Sequence, residues 1–205
     1  KPQVKMKSDS VRLSPSQLEG CVTAPPSKSI SHRALICAAL AEGESIISNL
    51  AFSEDVWATI DSLSAIGTKI ERIGEDTVKV TGIGGKPRSI CALCCRASGS
   101  TLRFLIPICL LSPEKFEFIG NEKLFARPLG IYAELFGDRY LGVEKKLLTL
   151  SAGEPLAAGE YRIAGNISSQ FITGLLFALP LCNGDSKIIV DGNFESASYV
   201  DLTLD

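Results

Sequence analysis

Three segments of the chain are apolar at nearly every position, and they recur at intervals of about 70 residues, which indicates an internal repeat. Each follows small polar residues, as expected at the start of a helix, and precedes a short strand-like segment. Because such helices are apolar around most of their circumference, each must be covered on several sides. The apolar segments are 34–41, 102–111 and 171–181, and the strands predicted after them are 45–48, 116–120 and 187–190.

A second helix is predicted after each of these strands, and a pair of strands follows the first two of the second helices. Glu54 and Asp55 suit the first turn of a helix, and Pro128 suits a first helical position. The pattern therefore predicts a β-α-β-α-β-β unit that is used three times. The second helices begin near 53–55, 126–128 and 196–199, and the strand pairs are 69–73 with 77–81 and 141–144 with 147–150.

The repeats are predicted at residues 20–90, 91–158 and 159–205, and the last of them stops inside its second helix. Comparison with the first two copies predicts that roughly 30 further residues belong to the same domain, so that the chain is a fragment of it. Residues 1–19 are polar and form a separate N-terminal segment. The predicted fold class is α/β (α+β), with small mixed sheets around a bundle of parallel buried helices.

The most informative polar segment reads PSKSISHR and lies at the start of the first apolar helix. Ser27 suits the N-cap, where a side-chain oxygen accepts a backbone N–H. A helix N-terminus has unpaired N–H groups and a partial positive charge, so Lys28 and Arg33 there predict an anion site, with phosphate as the natural ligand. A capped helix with two solvated cations would suit the same residues. If the three buried helices are parallel, Arg103 and Arg127 would share one face with the first pair of cations.

Composition narrows the classes of function. The 205 residues carry a net charge of −2 and are 45% hydrophobic, which argues against a nucleic-acid surface and allows a sizeable core. The longest nearly apolar run is about 12 residues, whereas a membrane span needs roughly 20. No basic start precedes a long apolar run, so neither a membrane span nor a signal peptide is predicted.

The seven cysteines are an odd number, and Cys37, Cys109 and Cys182 lie in apolar sequence. Buried free thiols are typical of a reducing compartment, which predicts a cytoplasmic protein. The C-x-x-C-C cluster at 91–95 has the spacing of metal ligands, but no second ligand pair follows it and His32 is the only histidine. No metal site is predicted.

Five segments, in their order and spacing, are similar to the 5-enolpyruvylshikimate-3-phosphate synthase family. They read PPSKSISHRALICAALAEGE, GSTLRFLIP, FARPLGIYAEL, ISSQFITGLLFALPL and SYVDLTL, and the resemblance extends from about residue 18 to residue 205. It implies transfer of the enolpyruvyl group of phosphoenolpyruvate to the 5-hydroxyl of shikimate 3-phosphate, with release of phosphate and without a metal or organic cofactor. It also implies two similar domains, each an inside-out α/β barrel of three repeats, that close on a cleft. This chain would be most of one domain, and residues 1–19 would cross to the other.

The resemblance implies a role for specific residues. Lys28 would contact both substrates, and two hydroxyls would suit the phosphate of shikimate 3-phosphate. The bare backbone of Gly99 would let the enolpyruvyl group approach. The residues implied for shikimate 3-phosphate are Lys28, Ser29, Arg33, Ser168, Ser169, Gln170, Ser196 and Tyr199, and those implied for phosphoenolpyruvate are Lys28, Gly99, Arg127 and Gln170. Spacing alone would instead suggest capping and packing for Ser196 and Tyr199, and a solvated side chain for Arg127.

The chain departs from the family pattern at several positions. The usual Gly-Asn-Ala-Gly-Thr is Arg-Ala-Ser-Gly-Ser at 96–100, so Ala97 removes a side-chain amide near phosphoenolpyruvate. Phe104 replaces a proline, which predicts a shift of its helix. Ala197 replaces a basic residue and removes one cation from the rim of the site.

No catalytic residue is implied within this chain. The reaction needs a carboxylate that accepts the hydroxyl proton and an acid that protonates the methylene carbon. In the family the carboxylates come from the other domain, and Glu54, Asp55 and Asp201 are interpreted as helix-start residues. We therefore expect the chain alone to bind shikimate 3-phosphate weakly, without turnover. His32 is interpreted as structural and Arg103 as the partner of an ion pair within the domain.

Two other functions remain open. UDP-N-acetylglucosamine enolpyruvyl transferase has the same fold but carries a reactive cysteine on a loop near the second repeat, and here no cysteine lies between Cys109 and Cys182. A non-catalytic module for phosphate ligands would keep only the anion-binding helix ends. The expected partners are the two substrates and the second domain, with neither nucleic acid nor membrane.

Overall fold

The computed structural model describes residues 15, 17, 19–194 and 196–205, so most of the predicted N-terminal segment lies outside the described residues. The first elements are α1 (Lys28–Leu40), β1 (Glu44–Ile47), α2 (Glu54–Ala65), β2 (Lys69–Arg72) and β3 (Val78–Thr81). They are followed by β4 (Leu93–Arg96), α3 (Gly99–Cys109), β5 (Phe116–Gly120), α4 (Glu122–Phe125), α5 (Ile131–Phe136), β6 (Tyr140–Glu144) and β7 (Leu147–Leu150). The last are β8 (Glu160–Ala164), α6 (Ser169–Ala178), β9 (Lys187–Asp191) and α7 (Ala197–Leu204). Single 3₁₀ turns follow α5 and α6 at Gly137–Arg139 and Leu179–Leu181.

The strands of the described residues form three separate sheets. One is antiparallel, with the order β1-β3-β2. The second has the order β4-β5-β7-β6, in which β4 and β5 are parallel and the other neighbours antiparallel. The third is the parallel pair β8-β9. The predicted mixed α/β class with small sheets is confirmed, and within the described part of the chain no sheet closes into a barrel.

One predicted helix differs in the structure, and one predicted strand cannot be compared with it. Instead of one helix from 126–128, two short helices flank Pro128. Asn121 starts the first of them early, because its Oδ1 accepts the N–H of Leu124 at 2.8 Å. Pro128 has no N–H and disfavours helix at the preceding residue, so the helix breaks there. The strand-like segment before α1, at 10–13, lies outside the described residues, and residues 19–27 between it and α1 are irregular and include Pro25 and Pro26, which cannot donate to a sheet.

The buried helices differ in how far they are covered. Almost all of α3 is buried, and it packs closely on α6, whose Gly174 makes the approach possible because a Cβ there would lie 2.6 Å from the carbonyl oxygen of Arg103. On α1, in contrast, Ile30 is 52% exposed and Cys37 is exposed. The prediction of cover on several sides holds for both helices, but α3 is buried almost completely whereas one face of α1 is exposed. No helix of the described residues has the length and apolar character needed to cross a membrane.

The cysteines are all free thiols. Cys95 and Cys109 are buried, Cys182 is half-buried and Cys37 is exposed, so the prediction of a buried thiol is wrong for Cys37. Burial raises the pKa of Cys95 to about 12, which keeps this thiol protonated and inert. The described residues contain no group of three or more metal-ligating side chains.

Candidate functional site

The N-terminal ends of four helices line one small cavity. Its volume is about 200 Å³, and it lies where α1, α3, α6 and α7 begin. The lining residues are Ser29, Arg33, Ser100, Phe104, Ser168, Ser169, Gln170, Ser196 and Tyr199. The structure thus brings together all the residues predicted for shikimate 3-phosphate except Lys28. Ser100 and Phe104 are lining residues that were not predicted as such.

Serine side chains cap three of these helices by the same local rule. The Oγ of Ser27 accepts the N–H of Ile30 at 3.4 Å, and the Oγ of Ser98 accepts the N–H of Thr101 at 3.2 Å. Ser168 caps α6 by accepting the N–H of Gln170 at 3.4 Å. A cap satisfies only part of the first turn, so other N–H groups at each helix start are free to bind an anion.

Arg33 joins α1 to the last helix at the edge of the cavity. It is 8% exposed, and its Nη2 donates to the Tyr199 carbonyl at 2.8 Å. Its Nε donates to Oγ1 of Thr203 at 2.8 Å and its Nη1 to the Ser29 carbonyl at 2.9 Å. Burial lowers the pKa of the Arg33 guanidinium. The side chain therefore supplies positive charge to the cavity while it holds α7 in place.

Three of the four residues predicted for phosphoenolpyruvate, all except Lys28, form a second group beside the cavity. A Cβ on Gly99 would lie 2.5 Å from Nη1 of Arg127, 3.1 Å from Nη1 of Arg103 and 3.6 Å from Oε1 of Gln170. The guanidinium groups of Arg103 and Arg127 thus flank the N-terminus of α3, where Gly99 has no side chain. This is a concentration of positive charge suited to a small anion.

Gln170 is fixed at the centre of this group by two hydrogen bonds. Nη1 of Arg103 donates to its Oε1 at 2.7 Å, and its Nε2 donates to Oγ of Ser100 at 2.9 Å. The interpretation of Arg103 as an ion-pair partner is wrong within the described residues, where it forms no salt bridge and reaches instead an amide and, at 3.5 Å, the Pro128 carbonyl. Burial lowers the pKa of Arg103, as does the nearby charge of Arg127.

Lys28 lies outside the cavity wall. Its Nζ is 2.6 Å from Oδ2 of Asp55, and its side chain is 54% exposed. An exposed ion pair of this kind contributes little to stability, typically about 0–1 kcal/mol, so the ammonium group can exchange the carboxylate for another anion. Lys28 therefore does not line the cavity, but its exposed ammonium group remains available to a ligand.

His32 lies beneath the site in a chain of hydrogen bonds. Its Nδ1 is 2.7 Å from Oγ1 of Thr59, which is 2.7 Å from Oγ1 of Thr101, which in turn donates to Ser98 at 2.7 Å. Burial lowers the pKa of His32 to about 4, so the ring is neutral at pH 7. His32 therefore ties α1, α2 and the cap of α3 together, and it does not line the cavity.

Carboxylates of the described residues stay away from the cavity wall. Glu54 and Asp61 bind Arg96, and Asp55 binds Lys28. A larger groove of about 590 Å³ beside these residues is lined in part by Arg96, whose charge is already paired. The smaller cavity at the helix ends is the better anion site, although no carboxylate or histidine of the described residues lines it.

Comparisons with known proteins agree on one family. A family model described as EPSP synthase (3-phosphoshikimate 1-carboxyvinyltransferase) matches residues 13–205. A 3-phosphoshikimate 1-carboxyvinyltransferase of Clostridium perfringens (strain SM101 / Type A) is 46% identical over 198 residues, which are 95% of this chain and 46% of the relative. The enzyme of that name from Clostridioides difficile (strain 630) is 44% identical over 208 residues, with 95% of this chain and 47% of the relative covered.

Solved structures give the same result for the fold. Two structures of EPSP synthase from Acinetobacter baumannii match with a TM-score of 0.74, at 24% and 25% sequence identity. Each match covers 85% of this chain and 41% of the other. The chain spans about half the length of the curated relatives it matches.

Proposed function

Because the chain belongs to the EPSP synthase family, we propose that its cavity is the shikimate 3-phosphate half of the active site of a 3-phosphoshikimate 1-carboxyvinyltransferase. The full reaction joins the 5-hydroxyl oxygen to C2 of phosphoenolpyruvate while a proton is added to the methylene carbon. Loss of phosphate from the resulting tetrahedral intermediate, with loss of a methyl proton, then restores the double bond.

The convergence of four helix N-termini on a cavity of about 200 Å³ carries this proposal. A phosphorylated six-membered ring is of that size, and its phosphate requires N–H and hydroxyl donors. Ser168, Ser169 and Gln170 would hold the phosphate at the start of α6. The ring hydroxyls would contact four residues at the starts of α1 and α7, Ser29, Arg33, Ser196 and Tyr199.

Phosphoenolpyruvate would bind next to this ligand, at Gly99. Arg127 would pair with its negative charge, and Gln170 would contact both substrates from its position between Ser100 and Arg103. Lys28 would leave Asp55 to join the two phosphorylated molecules. Such preorganised cations stabilise the charge that the reaction concentrates in one place.

We propose that turnover requires a second domain. No carboxylate of the described residues lines the cavity, and Asp55 and Glu54 are paired with Lys28 and Arg96. The proton acceptor for the hydroxyl and the acid for the methylene carbon would come from that domain.

Free thiols at all seven cysteines support a reducing, cytoplasmic location.

Calorimetry on the 205-residue chain tests the binding proposal. Shikimate 3-phosphate should bind more tightly than shikimate or inorganic phosphate, whereas a generic phosphate module would bind inorganic phosphate as well. Ser169→Ala should weaken binding by about 1.5–3 kcal/mol, the range for a hydrogen bond to a charged group. Ser64→Ala is a matched control, because Ser64 is an exposed helical serine on α2, away from the cavity.

A phosphate-release assay tests the need for the second domain. The chain should release no inorganic phosphate from the two substrates above a control without protein. Turnover by the chain itself would refute that part of the proposal and leave the binding result standing.

The names of the relatives favour shikimate 3-phosphate over UDP-N-acetylglucosamine as acceptor, so UDP-N-acetylglucosamine serves as the ligand that should not bind.

A further inference from the structure

Helix α3 contains a proline one turn after Arg103. In an α-helix the N–H of each residue donates to the carbonyl four residues earlier. Pro107 has no N–H, so the carbonyl of Arg103 lacks its regular helical donor. Arg103 is buried, and a buried backbone carbonyl almost always has a hydrogen-bond partner.

Tyr132 of α5 supplies the missing donor. Its hydroxyl donates to the Arg103 carbonyl at 2.8 Å. The side chain is fully buried, and burial raises the pKa of the phenol well above its usual value, so it stays a donor throughout the physiological range. Its ring stacks on Phe136 and packs against Phe171 of α6, with centroids 5.5 and 5.0 Å away. These contacts leave the hydroxyl little freedom to move.

The same carbonyl faces α6 on its other side. A Cβ on Gly174 would lie 2.6 Å from the carbonyl oxygen and 3.1 Å from Cγ of Pro107. The carbonyl is therefore enclosed between the Tyr132 hydroxyl and the backbone of α6. Its position sets where the Arg103 side chain starts, and how closely the first turns of α3 and α6 approach.

We propose that Tyr132 is a positioning residue for the anion site. By holding the Arg103 carbonyl, its hydroxyl would place the Arg103 guanidinium against Oε1 of Gln170 and beside Gly99. Tyr132 itself does not line the cavity. The effect on binding rests on the function proposed above, whereas the link from Tyr132 to Gln170 does not.

A pair of substitutions tests this link. Tyr132→Phe keeps the ring and removes the donor, and Pro107→Ala gives α3 the N–H that the Arg103 carbonyl lacks. Tyr132→Phe should shift the side-chain amide resonances of Gln170, identified by their loss in Gln170→Glu. It should also weaken shikimate 3-phosphate binding roughly threefold to tenfold, the size expected of a residue that acts without touching the ligand. In the variant that carries both Tyr132→Phe and Pro107→Ala, the Gln170 resonances and the affinity for shikimate 3-phosphate should equal those of Pro107→Ala alone.

Tyr140→Phe is the matched control. The Tyr140 ring lies 6.0 Å from that of Tyr132, and within the described residues its hydroxyl makes no hydrogen bond to Arg103. This variant should leave both readouts unchanged.

An unshifted Gln170 amide in Tyr132→Phe, or a shift that Pro107→Ala does not reverse, would overturn the positioning role. The Gln170 resonances can be measured without a ligand. If the chain binds no shikimate 3-phosphate but Tyr132→Phe shifts these resonances and Pro107→Ala restores them, the link from Tyr132 to Gln170 is supported and only the proposed function is contradicted. If Tyr132→Phe alone is too unstable for spectra, recovery of the folded state in the double variant supports the same bond, and its absence opposes it.

Discussion

Single residues of the site divide into those that local rules predict and those that depend on distant partners. Ser27 is a predicted N-cap and is confirmed as one, because capping needs only the next three residues. The partner of Arg103 could not be predicted, since Gln170 lies 67 positions later in the chain. The same holds for Lys28, whose ion pair with Asp55 joins two helices.

Gly99→Ala is expected to weaken phosphoenolpyruvate binding without unfolding the protein. The new Cβ would meet the end of the flexible Arg127 side chain at 2.5 Å, so this guanidinium must move away. Loss of one charge-assisted hydrogen bond corresponds to about 1.5–3 kcal/mol, or roughly tenfold or more in affinity. Calorimetry with shikimate 3-phosphate present measures the loss. The melting temperature should not fall, because alanine is a better helix former than glycine, and a large decrease would contradict this explanation.

At the scale of elements, the hydrophobic pattern located most helices and strands. The strand predicted at 116–120 is β5, and the strands predicted at 69–73 and 147–150 are recovered as β2 and β7 to within one residue. The pattern failed where a proline decided the outcome, as at Pro128. It also could not foresee that one face of α1 is exposed, because apolar periodicity does not state which neighbours are present to cover it.

Gly174→Ala is expected to destabilise the contact between α3 and α6. Its Cβ would lie 2.6 Å from a backbone oxygen, which cannot rotate away as a side chain can. Overpacking of this kind costs about 1–3 kcal/mol in the free energy of unfolding, measurable by urea titration.

Gly130→Ala is the control for that measurement. No atom lies within 4 Å of a Cβ at Gly130, and its φ of −57° suits any residue. The free energy of unfolding should change by no more than about 0.5 kcal/mol. Equal losses in the two variants would contradict the importance of the close helix contact.

The stability of the whole molecule should depend on pH through its single histidine. Burial holds the pKa of His32 at about 4, while in the unfolded chain it is 6.5, so the unfolded state binds the proton first. The attraction of Asp55 partly opposes this shift, and Lys28 and Arg33 add to it. As the pH falls from 6.5 to 4, folding should therefore lose stability, by up to about 3 kcal/mol.

Urea unfolding at several pH values measures this loss. Carboxylates titrate in the same range, so the comparison is with His32→Asn, which cannot bind the proton. The difference in the free energy of unfolding between the unchanged protein and His32→Asn should vanish progressively or change sign as the pH falls. A constant difference between pH 7 and pH 4 would show that His32 is not the group responsible.

The anchoring of α7 by Arg33 has a consequence for how the site can change during evolution. Arg33 holds this helix through the main-chain oxygen of Tyr199, and main-chain atoms survive any substitution at that position. Natural variation at Tyr199 can therefore change the side chain that lines the cavity while the helix that presents it stays attached. Thr203, which Arg33 reaches through a side-chain oxygen, has no such freedom.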